Sequence, residues 1–242
     1  MIGVIGAAGV AATNKLCELI EVKLTENGAF RDAHHPEMLI WQATQVPSRS
    51  LYYEGRGESF IPGYIEIGKK MKMCGVTKVA MCCNTAHMAI EEISEAVGLP
   101  FINLIQEVGK KVSESNAQKV GIICSDSLSK SHFYDSFILE GNRDIDIIYP
   151  DEYYQKIVTQ GICNAKNKKR FLPLNNNEHP FTLFSEVVNH LIVKGVDCIV
   201  AGCTDIRNVY FPSLENVGYI DCLEILADSI IRESKICKQY GY

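Results

Sequence analysis

The sequence predicts an α/β protein of two pseudo-symmetric lobes, each a mostly parallel sheet flanked by helices, and three observations carry this. Short β-branched runs alternate with stretches of helical period. The two halves of the chain repeat each other's landmarks at a nearly constant offset. A cysteine, Cys83 and then Cys203, ends the same apolar run in each half.

The runs 2–5, 38–41, 79–82, 120–123, 145–148 and 198–200 are each about the length of a buried strand. Between them, 13–25, 64–73, 88–97, 104–113 and 184–194 carry apolar residues at i, i+3 and i+4, as helices do. Alternation of the two periods points to parallel sheet buried on both faces. Gly3 and Gly121 lie 118 residues apart in matching runs, and so do Ile102 and Ile220. Gly75-Val76 and Gly195-Val196 each open a run with cysteine eight residues after the glycine, at an offset of 120. Duplication of a βα unit of about 118 residues accounts for this register. The expected lobes are 1–105 with 213–242, and 106–212.

In parallel sheets ligands bind beyond the carboxyl ends of the strands, so the active site is expected in the interlobe cleft, with Cys83 and Cys203 facing one ligand from opposite sides. Each cysteine precedes a polar pair, Asn84-Thr85 or Thr204-Asp205, suited to starting a helix. Amides at such a start lower a thiol's pKa and bind carboxylate. Two tuned thiols on opposite faces of a carbon are the requirement for inverting a stereocentre by proton transfer.

At 242 residues, 47% hydrophobic and 22% charged, the composition is that of a soluble globular chain. No apolar run approaches the ~18 residues of a membrane span, and MIGVIGAAG lacks a secretory leader, so the expected location is cytoplasmic. A net charge of −5 argues against a nucleic-acid partner. Lys166, Lys168, Lys169 and Arg170 form the one basic cluster, read as a surface loop of which one member can face an acidic ligand. The ten cysteines read as reduced thiols, and without a CxxC pair structural zinc is not expected. Cys17, Cys74, Cys124, Cys163, Cys198, Cys222 and Cys237 lack the context of the paired two and are read as structural. Gly3, Gly6 and Gly9 form GxxGxxG rather than the dinucleotide fingerprint. His87 reads as first-turn packing, His34 and His35 as loop, and Trp41, Tyr52 and Tyr53 as packing.

Cys83-Asn84-Thr85-Ala86-His87 with Gly202-Cys203-Thr204-Asp205 resembles the paired signature of the aspartate/glutamate racemase family. Gly3 to Gly9 followed by Ala12-Thr13 resembles the family's GGMGP-x-AT loop, and Gln45-Val46-Pro47-Ser48-Arg49 its Q-I-P-x-R segment, which favours the aspartate racemase branch. Ala7-Ala8 replace Gly-Met, Val10 replaces proline, and Asp205 stands where the family has Glu.

The resemblance implies a racemase that inverts the α-carbon of an acidic amino acid, aspartate or glutamate, with no pyridoxal phosphate, other cofactor or metal, in a commonly dimeric protein. By position, Cys83 and Cys203 are the acid/base groups, Asn84, Thr85 and Thr204 bind the α-carboxylate, and Arg49 binds the distal carboxylate. Ser125 or Ser127 substitutes for family hydroxyls, and a lysine of the 166–168 region, Lys168 being the candidate, approaches the distal carboxylate. Open alternatives are racemisation of another amino acid or of a hydantoin, isomerisation or decarboxylation of a dicarboxylate, and an amino-acid-binding protein without turnover.

Overall fold

A computed structural model describes residues 1–141 and 144–234, so Cys237 lies outside the described residues. The first half runs β1 (Ile2–Gly6), α1 (Val10–Glu26), β2 (Met38–Gln42), α2 (Arg49–Tyr53), α3 (Ile61–Met73), β3 (Lys78–Met81), α4 (Ile90–Val97) and β4 (Phe101–Ile102). Then follow α5 (Leu104–Glu114), β5 (Lys119–Cys124), α6 (Asp126–Lys130), α7 (Asp135–Gly141), β6 (Asp146–Ile148) and α8 (Glu152–Ala165). The chain continues through α9 (Pro180–Val193), β7 (Cys198–Gly202), β8 (Gly218–Asp221) and α10 (Cys222–Ser234).

The strands form two four-stranded parallel sheets of the same topology, β2-β1-β3-β4 and β6-β5-β7-β8. The repeat legible in the sequence is thus a repeat of strand order. Contacts divide the chain into two compact units, Met1–Leu104 with Leu223–Tyr242, and Ile105–Cys222. The boundary expected at 212/213 needs correction, because β8 pairs in register with β7 (Val200 opposite Ile220) and so stays in the second sheet. Chain from Leu223, not from 213, belongs to the first unit.

Local chemistry explains why the halves superimpose in sequence. Each of α3 and α9 ends on a glycine of positive φ, Gly75 at 89° and Gly195 at 82°, a backbone region that disfavours any side chain. Val76 N–H then donates to Met71 O and Val196 N–H to Leu191 O, the six-residue closure of a Schellman cap. Both caps turn the chain directly into the central strand that carries a cysteine at its end. Close packing adds further small residues: a Cβ on Gly68 of α3 would stand 2.6 Å from a methyl of Val97 in α4.

β1 and β7 are buried along their whole length, as interior strands of a parallel sheet are, whereas the edge strand β2 is half-exposed to exposed. In the first unit Ile5, Phe60, Tyr64, Met71, Val79 and Ile93 centre the core, and in the second Ile123, Val158, Phe184, Val187, Leu191 and Ile199 do so. Among the described residues no helix is long and apolar enough to cross a membrane.

Candidate active site

Parallel register gathers the chemistry-bearing residues of each unit at the carboxyl ends of its strands. In the first unit Ile5 stands opposite Met81, and Cys82 N–H donates to Ile5 O, so the Gly6–Gly9 loop lies beside Cys83. Gly6 likewise stands opposite Gln42, and Ala43 N–H reaches Gly6 O, which carries the chain from β2 to Arg49 at the same end. Thr13 of α1 ties the loop down: its Oγ1 accepts from Ala7 N–H at 2.9 Å. A Cβ on Gly6 would lie 2.5 Å from Thr13 Cγ2, so only glycine fits there. Ala7 itself holds φ 63°, a left-handed conformation.

Cys83 is buried with Asn84 and Thr85. The helix start expected after it is a short 3-10 turn, Thr85–Ala89, with α4 beginning only at Ile90. His87, fully buried, brings Nδ1 to 2.8 Å from Cys83 O, and since a carbonyl only accepts, the ring N–H donates. Burial holds its pKa down at about 4, against weaker opposing hydrogen bonds from backbone, so the imidazole is neutral and fixes the backbone of the cysteine. Arg49 opens α2, is partly buried, and donates from Nη1 to Pro47 O at 3.2 Å. It is no exposed loop arginine.

Around Cys83 stands an aromatic cluster in which sequence reading saw only packing. Tyr53 follows Arg49 by four residues, on the same face of α2, and its pKa is pushed up to about 12 by burial, then by Tyr52, Glu92 and Cys83. Tyr64 of α3 is buried completely and its pKa is raised by burial first and by Cys83 next, with Arg49 acting in the opposite sense. The spacing from Arg49 was a usable signal for Tyr53. For Tyr64 none existed, since it occupies an apolar position of an amphipathic helix.

In the second unit Cys124 stands opposite Gly202, which sets Ser125 at the end of β5 beside Cys203 at the end of β7. A Cβ on Gly202 would stand 2.9 Å from Tyr134 Oη, so any side chain before Cys203 would have to displace that buried ring. Thr204 and Asp205 are buried, and the turn after them is again 3-10, Ile206–Asn208. Arg207 anchors that turn to the end of β8, with Nη1 at 2.9 Å from Asp221 Oδ2 and its guanidinium 3.6 Å from the centre of the Phe211 ring.

The Ser125–Ser127 segment is held through Asp126, which accepts from Gln155 Nε2 at 2.9 Å and from Thr159 Oγ1 at 2.5 Å, both on α8. Gln155 also donates to Cys124 O. Ser127 Oγ is buried and makes no hydrogen bond among the described residues. Burial raises the Cys124 thiol well above its ordinary pKa, with Cys203, Asp126 and Asp135 adding to the rise, so Cys124 stays protonated. Of the basic cluster it is Lys166, not Lys168, that reaches this group: Lys166 Nζ lies 3.0 Å from Asp205 Oδ2. Lys168 is exposed two residues past the α8 cap, where the next 3-10 turn begins, and Lys169 pairs instead with Glu178.

The profile of the Asp/Glu/Hydantoin racemase family matches residues 2–230. The chain belongs to this family. Over 238 residues it is 26% identical to the broad specificity amino-acid racemase RacX of Bacillus subtilis (strain 168), covering 96% of each chain. Among solved structures it is similar to Picrophilus torridus aspartate racemase, with a TM-score of 0.81 at 23% identity over 100% of this chain and 99% of that one. The glutamate racemase of Francisella tularensis has the same fold at greater distance, with a TM-score of 0.64, 16% identity, and 97% and 82% of the two chains covered. These two likenesses establish the α/β fold of paired parallel sheets and stop there.

Proposed function

We propose that this racemase inverts the α-carbon of an acidic amino acid, aspartate foremost and glutamate next, with cysteines as its two proton-transfer groups. The observation that carries the reading is the equivalence of Cys83 and Cys203, each just past the end of the third-ranked strand of its sheet and each followed by buried hydrogen-bonding residues. A free thiol titrates near pH 8.5, so one of a pair can be thiolate while its counterpart is protonated. In one direction the Cys83 thiolate takes the α-proton, and the Cys203 thiol delivers its own proton to the opposite face of the carbanion. The enzyme ends with thiol and thiolate exchanged, ready for the reverse reaction. Every proton and charge is accounted for by the two sulfurs, so the step calls on no cofactor.

Asn84, Thr85 and Thr204 adjoin the two cysteines and are the donors assigned to the α-carboxylate, where they stabilise the negative charge that the carbanion delocalises onto the carboxylate oxygens. Arg49 is the assigned partner of the distal carboxylate, which a guanidinium meets with two parallel hydrogen bonds. Ser127, with its unpaired hydroxyl, is favoured over Ser125 as a further donor. Homodimeric state and cytoplasmic location complete the reading and rest on the family resemblance and the composition.

A second reading is a wide substrate range that includes neutral amino acids, favoured by the match to a broad-specificity relative along 96% of the chain. Chiral analysis after incubation with L-aspartate, L-glutamate and a panel of neutral L-amino acids decides between the two. D-product from the acidic substrates alone supports the first, comparable turnover of neutral ones supports the second, and binding without Cα deuterium exchange overturns both.

A further inference from the structure

Tyr64 belongs to a buried stripe of α3 formed with Ile61, Ile67, Gly68 and Met71. Its ring meets Phe60 edge-on, with centroids 5.3 Å apart, and it shares one core with Cys83. Phenylalanine would satisfy all of this packing. The hydroxyl, however, is buried and has no hydrogen-bond partner among the described residues. Such an orphan costs a folded protein about 1–3 kcal/mol, and native cores hold few of them. Its electrostatic neighbours are Cys83, Arg49 and Cys82. Burial keeps the phenol protonated, so it can act as a donor.

We infer that Tyr64 is a further substrate-binding residue, whose phenolic O–H donates a hydrogen bond to a carboxylate of the acidic amino acid held between Arg49 and Cys83. This rests on the racemase reading above and adds to it a residue that the signature motifs do not contain. A carboxylate completes the hydroxyl's hydrogen bonding, and the interaction is present in the ground state and the transition state alike, so its signature is in KM. A neutral side chain in place of the distal carboxylate gains less from it.

Tyr64→Phe tests the inference, because it removes one oxygen and keeps the ring. The expected result is a thermal midpoint that holds or rises, and a KM for L-aspartate or L-glutamate raised about 10- to 100-fold, as loss of a hydrogen bond to a charged group predicts. Expected with it are a kcat within a few-fold of wild type and an unaltered pH profile. A KM within twofold of wild type in an active enzyme overturns the inference and leaves the racemase reading standing. A shifted pH profile with unchanged KM also overturns it, since the hydroxyl would then act on the thiol. A midpoint lowered by several degrees overturns it too, by showing that the hydroxyl is paired in the free protein. Absence of wild-type turnover on every amino acid overturns the racemase reading itself, and the inference with it.

Discussion

Lys166 Nζ lies 3.0 Å from Oδ2 of Asp205, two residues past Cys203, and joins the α8 cap to the buried turn behind the thiol. Asp205 is almost wholly buried while Lys166 is partly in solvent, so the pair is worth less than a fully buried one. Lys166→Met is expected to lower stability by about 1 kcal/mol and the thermal midpoint by about 2–4 °C. An unchanged melting curve would show that Asp205 is held by other groups.

Both cysteines are expected to be indispensable. Replacing Cys83 or Cys203 with Ala should reduce racemisation by at least ~10²-fold, the usual worth of a positioned proton-transfer group. Polarimetry with each enantiomer as the starting material measures this, and full activity in either variant contradicts the two-thiol mechanism.

Arg49 is partly buried at the strand ends, and its role should show in selectivity. Arg49→Leu should raise KM for aspartate and glutamate while sparing a neutral amino acid of similar length, because a guanidinium holding a distal carboxylate binds ground state and transition state alike. Equal kcat/KM for wild type and variant on the acidic substrates would remove Arg49 from the site.

The left-handed φ of Ala7 is an expected reserve of stability. That conformation costs an L-residue about 1–2 kcal/mol, while the extra freedom of glycine in the unfolded chain offsets about 0.4–1 kcal/mol of the relief. Ala7→Gly, which restores the glycine of the family loop, should therefore raise the thermal midpoint by up to about 4 °C in a chain of this size. A lower midpoint would mean that the methyl packs favourably enough to outweigh the strain.

His87 links stability to pH. Its pKa falls from 6.5 to about 4 in the folded protein because burial opposes the charged ring. Between those two values the unfolded chain binds a proton that the folded one refuses, so stability is full above pH 6.5 and declines as pH falls toward 4. The loss is on the order of 3 kcal/mol across that window. His87→Asn, whose amide can still donate to Cys83 O, should flatten the decline in denaturant titrations at pH 6.5, 5.5 and 4.5.

Much of this fold is legible in the chain because parallel strands and amphipathic helices leave simple periods, and because duplication printed them twice. Gly75 and Gly195 were readable as landmarks, and the structure gives the reason: both close a helix in a conformation that favours glycine. Met88 was placed in a helix that in fact begins at Ile90, since the 3-10 turn before it keeps the same apolar spacing to within a residue. α8 escaped notice because its buried face includes Gln155, Gly161 and Asn164, which a search for apolar period passes over. Strand β8 was legible as a landmark but not as a member of the second sheet, because pairing with β7 is a long-range fact. Cys83 and Cys203 stood out by repetition, whereas Tyr64, whose only oddity is an unpaired oxygen in three dimensions, leaves no mark in one.

The division at Leu104 and Leu223 puts α5, which follows the first sheet's last strand, in the second unit, and α10, which follows the second sheet's last strand, in the first. α10 is bound to its unit by Lys23 with Glu224 and Asp228 and by Lys78 with Glu233. α5 crosses α7 so closely that a Cβ on Gly109 would meet Phe137 O. Each repeat thus surrenders its closing helix to the other, so a cut between the repeats takes a helix from each compact unit. During synthesis from the amino terminus, the first-made unit therefore waits for α10, which is made only after the whole second sheet, before its contacts are complete.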